Sequence, residues 1–384
     1  MKSISLSFKS NMKYTPQSLK NLFLKIFLGI LCYILLTQSE ITAQSIRHGI
    51  SLCVGTLVPS LLPFMIIAPF TAYSGIFESP NRLLAKITEK LFYLPGYTYP
   101  AIILSFIGGY PVGAKSVKAL YENKKINKEQ LNRMMCFCVN SGPAFTVSML
   151  GSTLLNNKMI GLIIFLIQIM LALLIGIVCA AKSRISKKTF YFLASPSNNK
   201  KIKIREAFVN SVASGCESII QMCGIVIIFI AFIGILENFN IFEFIYNEML
   251  FYVPKNISKT ILTSFLEVTY GCIYAAKSSA PYWIMAFGIG YGGICTHLQI
   301  AAILKETNFK YSQFCIFRFI NGILSALVFY AVTHFFPIAY PTFSTISKTQ
   351  LSIKPSSTPI GSIALIFLCF YFLADIKLNK KFKK

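Results

Sequence analysis

A segment from Ser105 to Lys115 constrains the fold of this chain more than any other stretch. Its sequence, Ser-Phe-Ile-Gly-Gly-Tyr-Pro-Val-Gly-Ala-Lys, is apolar enough for a bilayer, yet it contains three glycines, a proline and a lysine. Glycine and proline weaken or remove the hydrogen bonds within a helix. In a membrane, irregular backbone is tolerated only where protein buries it or where it lines a wet cavity. We therefore predict a broken helical hairpin that helps to form a site for a small solute.

The composition of the chain is typical of a membrane protein. Of its 384 residues, 55% are hydrophobic and only 13% are charged, and several apolar runs approach or exceed the roughly 20 residues that a helix needs to cross a bilayer. The net charge of +24 comes from lysines and arginines that gather in short loops. That pattern is typical of cytoplasmic loops rather than of nucleic-acid binding. We predict an all-α polytopic membrane protein that contacts the lipid bilayer and binds no nucleic acid.

About eight apolar segments are predicted to cross the membrane. In chain order they are 22–37, 46–77, 131–155, 159–181, 207–236, 281–301, 314–336 and 360–374. The first is predicted to be a signal-anchor helix, and the alternative is a signal peptide that is cleaved near Ala43. The second contains three prolines, and we expect its helix to break between Pro59 and Pro63. The third is expected to break at Asn140–Pro143.

Two halves of the chain resemble each other. Ile103–Ile107 matches Leu262–Leu266, and the same offset places residues 75–78 on residues 234–237. Short apolar matches arise by chance, but these occur in the same order in both halves. They therefore predict an internal repeat.

The repeat and the charged loops together divide the chain into five parts. These are a basic N-terminal segment with a signal-anchor helix (1–45), a first repeat (46–181), a basic cytoplasmic linker (182–205), a second repeat (206–336) and a C-terminal helix with a lysine-rich tail (337–384).

The charges of the loops predict opposite orientations for the two repeats. Lys124, Lys125, Lys128 and Arg133, between Tyr121 and Cys136, and the far more basic linker 182–205 all lie inside only if two segments, 100–121 and 260–278, enter the membrane and return. One re-entrant hairpin then enters from each face, and the N- and C-termini are cytoplasmic. This is the inverted-repeat helical bundle of secondary transporters, whose sites lie near the midplane where broken helices meet.

Four motifs resemble one known family. They are Gly108–Lys115, Asn140–Pro143, Leu266–Gly271, and Gly292-Gly293 followed by His297 and Gln299. These motifs resemble the YlbJ family of sporulation integral membrane proteins. That family belongs to the nucleoside-recognition Gate group, which is related to nucleoside transporters and to the membrane part of ferrous-iron transporters.

The resemblance covers roughly residues 46–336, so both repeats are expected to be Gate-like. It implies the cell membrane of an endospore-forming bacterium and a role in spore formation. Two departures weaken any detailed inference about substrate. Val268 stands where the family would have methionine, and Ile294-Cys295 replaces a more usual Leu-Ser pair.

The candidate substrate-binding residues all belong to these motifs. They are Gly108, Gly109, Pro111, Gly113, Lys115, Asn140, Ser141, Gly142, Pro143, Glu267, Thr269, Gly271, Gly292, Gly293, His297 and Gln299.

The charged candidates each have a structural alternative. Lys115 could pair with an anionic substrate or with Glu267, or its amine could reach the membrane interface. Glu267 could coordinate a coupling cation or a ribose hydroxyl, or it could be an interfacial glutamate. Glu217, in the helix that matches the proline-rich one, could be a second ion ligand or could also lie at the interface.

The neutral candidates have alternatives of the same kind. Asn140 and Ser141 could contact a ligand, or they could cap the broken helix. His297 and Gln299 could contact a ligand at membrane depth, or the histidine could simply satisfy a local acceptor.

The sequence favours transport over catalysis. It contains no GxSxG or HExxH motif, no Walker motif and no Cys/His spacing of a zinc site. We therefore predict no enzyme, no metal site and no cofactor, apart from a coupling cation of unknown identity. The predicted function is that of a secondary transporter or permease for a small polar, nucleoside-like solute, which uses alternating access around the two hairpins.

Two other functions remain open. One is a non-transporting structural or assembly protein of the spore envelope, which keeps the same scaffold and acts as a homo-oligomer or with partner proteins. Substitution of Glu267 and Lys115 is expected to abolish uptake by a transporter and to spare the function of an assembly protein. Ferrous-iron movement is a third candidate, which the scattered cysteines support poorly.

The predicted topology can be tested by labelling single cysteines introduced at Lys125, Asn238 and Lys348. With both basic loops inside, a cysteine at position 125 should react with a membrane-impermeant reagent only after the membrane is opened. Labelling of position 125 in intact cells would contradict the inverted arrangement.

Overall fold

The computed structural model describes residues 25–26, 28–29, 32–74, 81–185, 204–249 and 252–336, and within these ranges the chain is helical without any strand. The all-α prediction is therefore confirmed for the described residues. Several predicted features lie outside them. They are the extreme N-terminus, most of the basic linker, the repeat match at 75–78, the crossing segment 360–374 and the lysine-rich tail.

The helices follow one another in an order that is the same in both halves. In chain order they are α1 (Ser39–Leu52), a π-helical segment (Cys53–Leu57), α2 (Val58–Tyr73), α3 (Arg82–Phe92), α4 (Tyr99–Ile107), α5 (Tyr110–Glu122), α6 (Lys128–Phe137), a second π-helical segment (Ala144–Leu154), α7 (Lys158–Ile185), α8 (Ile204–Asn238), α9 (Ile241–Met249), α10 (Lys255–Leu266), α11 (Val268–Lys277), α12 (Tyr282–Tyr291), α13 (Gly293–Ile303) and α14 (Tyr311–Phe335). Each half contains a long helix, a short helix, a helical hairpin, a broken helix and a second long helix.

Five helical stretches among the described residues are long and apolar enough to cross a bilayer. They are Ser39–Thr71, Lys158–Ala181, Ile204–Asn238, Tyr282–Ile303 and Tyr311–Phe335. The segment predicted at 131–155 instead consists of α6 and the second π-helical segment, separated by the expected break at Asn140–Pro143. Two shorter apolar helical stretches among the described residues are Gly96–Ile107 and Ala144–Leu154. The chain is thus a polytopic helical membrane protein.

The predicted break between Pro59 and Pro63 is wrong. The chain stays helical from Ser39 to Tyr73, and it widens into a π-helix at Cys53–Leu57 just before the first of these prolines. Proline has no N–H to donate to the carbonyl four residues earlier, and its ring clashes with that carbonyl. For Pro59 that carbonyl belongs to Gly55, inside the π-helical segment. We infer that the wider turn accommodates the clash without ending the helix.

Both hairpins close on the same contact between a serine and a glycine. A Cβ atom placed on Gly113 of α5 would lie 2.9 Å from the Cβ of Ser105 in α4. A Cβ placed on Gly271 of α11 would lie 2.4 Å from the Cα of Ser264 in α10. Small residues allow helices to approach this closely. The two serines occupy equivalent positions in the predicted repeat, so the sequence match marks a packing contact.

Arg318 of α14 joins the broken helices of the two halves. Its side chain is 1% exposed. It donates hydrogen bonds to the carbonyls of Val139 at 2.6 Å, Ile289 at 3.2 Å and Tyr291 at 3.3 Å. These carbonyls lie where helices end and lose their intrahelical donors. The ring of Tyr110 lies 5.5 Å from the guanidinium carbon, and its hydroxyl also donates to Ile289 O.

A second polar cluster joins α7, α12 and α14 within the apolar interior. Gln168 donates to the hydroxyl of Ser325 at 2.8 Å. Asn321 donates to the side-chain oxygen of Gln168 and to the carbonyl of Gly290, both at 3.1 Å. Hydrogen bonds between membrane helices help to hold them together where apolar association is weak.

Replacement of Arg318 by methionine should destabilise the protein strongly. The buried carbonyls would lose their donors, and each buried unsatisfied polar group costs about 1–3 kcal/mol. We expect a fall in the melting temperature of the purified protein in detergent. Arg205→Met, which removes an exposed arginine of α8, is the control and should leave the melting temperature nearly unchanged. Equal melting temperatures for the two variants would contradict the assigned role of Arg318.

Candidate functional site

A cavity of about 60 Å³ lies where the breaks of three helices meet. The breaks belong to the first hairpin, to the segment between α6 and the second π-helical segment, and to the second hairpin. The predicted site residues that line the cavity are Gly109, Pro111, Ser141, Gly142, Glu267, Thr269 and Gln299. The structure therefore brings residues of both predicted repeats to one place.

The cavity is also lined by polar side chains that the sequence analysis did not single out. Thr56 and Ser60 come from the proline-rich helix, Thr296 comes from α13, and Tyr110 opens α5. Thr56 and Ser60 are four residues apart, so they lie on the same face of the helix. Two hydroxyl residues at this spacing in an apolar run could have been identified from the sequence as candidate site residues.

Glu267 provides the buried carboxylate of the site. Its side chain is 2% exposed, and its backbone is extended between α10 and α11. One carboxylate oxygen accepts a hydrogen bond from the backbone N–H of Tyr270 at 2.6 Å, so Glu267 caps the N-terminus of α11. The positive end of the helix dipole favours a negative charge there. None of the ion pairs within the described residues includes Glu267.

Ser141 and Asn140 behave differently although they are adjacent. The Ser141 hydroxyl is buried, lines the cavity and interacts with the side chain of Tyr110. Asn140 donates from its side-chain nitrogen to the carbonyl of Phe137 at 2.6 Å, which is at the end of α6. Asn140 therefore caps the end of α6, and Ser141 contributes a hydroxyl to the cavity wall.

The amine of Lys115 contacts α8 rather than Glu267. The side chain is 6% exposed, and its amine donates to the carbonyl of Ser214 and to the hydroxyl of Ser218 in α8. It does not line the cavity. Its four-carbon stem reaches a neighbouring helix, which helical spacing alone could not reveal. The predicted pairing with Glu267 is replaced by a contact that joins α5 to α8, and pairing with an anionic substrate stays a prediction.

His297 and Gln299 lie on different faces of α13, because they are only two residues apart in the helix. Gln299 lines the cavity. His297 lies beside Tyr291, with ring centroids 4.8 Å apart, and one ring nitrogen lies 3.2 Å from the Tyr291 carbonyl. Its other ring nitrogen lies 3.4 Å from the sulfur of Cys315. The described contacts of His297 are therefore local ones, as the structural alternative predicted.

The remaining candidates pack near the cavity without lining it. They are Gly108, Gly113, Pro143, Gly271, Gly292 and Gly293. A Cβ on Gly113 would lie only 1.7 Å from the carbonyl oxygen of Cys138, and a Cβ on Gly293 would lie 3.2 Å from the carbonyl oxygen of Leu266. These glycines bring the broken segments together.

The chemistry of the cavity suits a cation or a solute with hydroxyl and amine donors. A carboxylate accepts up to about four hydrogen bonds, and the donors of Tyr270 and Thr269 leave part of that capacity to a ligand. Hydroxyls of Ser141 and Thr296 and the amide of Gln299 add donors and acceptors. The volume accommodates a few water molecules. A nucleoside is much larger, so it could enter only if the hairpins moved apart.

Comparison with known proteins gives one match. The chain is 21% identical over 333 residues to the sporulation integral membrane protein YlbJ of Bacillus subtilis strain 168. The aligned region covers 80% of this chain and 82% of the relative. No family model matches the chain, and no solved structure matches it. The similarity supports assignment of the chain to the family of that relative.

Two glycine substitutions test whether the breaks are held together by close backbone contact. Gly113→Ala should lower the melting temperature sharply, because the new Cβ would overlap the carbonyl of Cys138. Gly224→Ala is the matched control, since its position in α8 is open and alanine favours helices by about 1 kcal/mol over glycine. A Gly113→Ala protein as stable as the control would refute the close contact.

Proposed function

We propose that this member of the YlbJ family is a secondary transporter or permease that moves a small polar solute across the membrane of a sporulating cell. The observation that supports this most directly is the position of Glu267. Its carboxylate is buried at a helix break and lines the cavity. Intramembrane carboxylates usually mark paths of ions or substrates. The role in sporulation comes from the name of the relative.

The proposed solute binds through hydroxyl or amine groups. Glu267, Ser141 and Gln299 surround the cavity with acceptors and donors, while Leu61 and Met222 provide apolar contacts. A nucleoside-like solute, which the resemblance to the Gate group implies, has ribose hydroxyls and an apolar face that fit this pattern. Pockets that combine apolar walls with a few placed polar groups are typical of small-molecule sites.

Alternating access follows from the way the site is built. Two hairpins, α4–α5 and α10–α11, each contribute a break to the cavity, so displacement of either would open it. In the proposed topology the hairpins enter from opposite faces and both termini are cytoplasmic. Glu267 then carries a coupling cation or a proton, and the protein catalyses no chemical reaction.

The small volume of the cavity favours one alternative. About 60 Å³ with largely apolar walls would also suit a scaffold that moves no solute and acts as an assembly protein of the spore envelope, alone as an oligomer or with partner proteins. In that case Glu267 is only the N-cap of α11.

Uptake into proteoliposomes tests the proposal. Purified protein should take up radiolabelled uridine or adenosine when a Na⁺ or proton gradient is applied, and Glu267→Gln should reduce uptake to the level of empty liposomes. Glutamine has nearly the same shape but cannot carry the charge. The control is Glu217→Gln, because Glu217 is exposed in α8 and contacts Gln221 rather than the cavity.

The same variants separate the two functions in cells. If the protein transports, Glu267→Gln should reduce spore formation, whereas Glu217→Gln should not. Normal spore formation with Glu267→Gln, together with no uptake by the unaltered protein, would contradict the transport proposal and favour the assembly role.

A further inference from the structure

Helix α3 presents an unusual outer surface. Its residues Leu83, Ile87 and Leu91 are exposed, the first of them by 68%. They follow one another at intervals of four and therefore form one apolar stripe along the helix. Each is preceded by a basic residue that is also exposed, and these form a parallel basic stripe: Arg82, Lys86 and Lys90.

The opposite face of α3 is fixed to the protein. Ala85, Thr88 and Phe92 are buried, and the ring of Phe92 stacks on Phe137 with centroids 5.2 Å apart. The acidic residue of the helix, Glu89, is half-buried and turned toward Gly96. A carboxylate oxygen of Glu89 is thus directed toward the 3-10 turn that follows α3.

The free backbone N–H and C=O groups at both ends of α3 form hydrogen bonds with other residues of the protein. At the start, the side chain of Asn81 accepts a hydrogen bond from the N–H of Leu83 at 3.0 Å. At the end, Arg133 donates to the carbonyls of Phe92 and Tyr93, and Arg184 donates to those of Lys90 and Leu91. The helix is thus held in one orientation, with its two stripes facing outward.

The contact with Arg184 also indicates the side of the membrane. Arg184 lies near the end of α7, immediately before the most basic part of the chain. By the positive-inside rule that end is cytoplasmic. The cytoplasmic leaflet contains anionic lipids, whose surface potential attracts basic residues.

The equivalent helix of the second half has the opposite charge. Helix α9 contains Glu243 and Glu248 and no lysine or arginine, and Phe244 is 64% exposed. It retains an exposed apolar residue but would repel anionic headgroups. The difference between α3 and α9 shows that the basic stripe is not required by the shared architecture.

We propose that α3 is an interfacial helix that binds the phosphate headgroups of anionic lipids in the cytoplasmic leaflet. The apolar stripe inserts among the acyl chains, and the basic stripe of Arg82, Lys86 and Lys90 contacts the phosphates. An amphipathic helix with this pattern lies in the plane of the interface. The occupant is a lipid headgroup, because the apolar stripe borders the basic one along the whole helix.

Native mass spectrometry of the full-length protein in detergent tests the proposal. Phosphatidylglycerol is titrated into the unaltered protein and into a triple variant, Arg82→Gln, Lys86→Gln and Lys90→Gln. Each basic residue near an anionic surface contributes about 1 kcal/mol, so the triple variant should bind phosphatidylglycerol roughly 100-fold more weakly. Binding of phosphatidylcholine, the neutral probe, should not change.

The matched control removes the same charge from elsewhere on the predicted cytoplasmic side. It carries Lys128→Gln, Lys305→Gln and Lys310→Gln, all of which are exposed, and it should keep most of the phosphatidylglycerol affinity. A variant with Arg82→Lys, Lys86→Arg and Lys90→Arg should bind as the unaltered protein does. Equal losses in the Gln triple variant and the control would overturn the proposal.

Two further outcomes would also overturn it. Inorganic phosphate at millimolar concentration should not displace phosphatidylglycerol, and displacement would indicate a site for the free anion. The triple variant should keep the oligomeric state of the unaltered protein. If it instead dissociated while its lipid binding stayed the same, the two stripes would form an interface between copies of the chain.

Discussion

The structure depends on the way Arg318 satisfies carbonyls that broken helices leave free. Broken helices are costly in a membrane, because water is not available to their terminal backbone groups. One fully buried guanidinium donates to Val139 in the first half and to Ile289 and Tyr291 in the second. The negative ends of the broken helices in turn stabilise its charge. A single side chain thus makes two irregular segments compatible with an apolar interior.

The candidate site uses the N-terminal end of a further break, the one between α10 and α11. There the N-terminus of α11 provides backbone donors, and the carboxylate of Glu267 accepts one of them. Ser141 lines the cavity two residues after Val139, whose carbonyl accepts a hydrogen bond from Arg318. The helix breaks therefore have two consequences. They leave free carbonyls, to which Arg318 donates hydrogen bonds, and they place polar groups around the cavity.

Much of this arrangement could be predicted from the sequence. Glycine and proline marked the first hairpin and the break at Asn140–Pro143, because their effect on helices is local, whereas the internal repeat and the loop charges indicated the second hairpin. Glu267 and Ser141 could be identified as charged or polar residues at such breaks. By contrast, the role of Arg318 depends on which carbonyls tertiary packing leaves free, and the reach of Lys115 to α8 depends on a long flexible stem. The helix continues through Pro59, and we infer that the π-helical turn before it makes room for the proline ring.

A cryo-electron microscopy map of the full-length protein in a lipid nanodisc tests the central claim most directly. The account predicts hairpins that enter from opposite membrane faces, with the Arg318 side chain in contact with the carbonyls of both halves and Glu267 facing an internal cavity. Hairpins that cross the bilayer as unbroken helices, with Glu267 at a membrane surface, would contradict it.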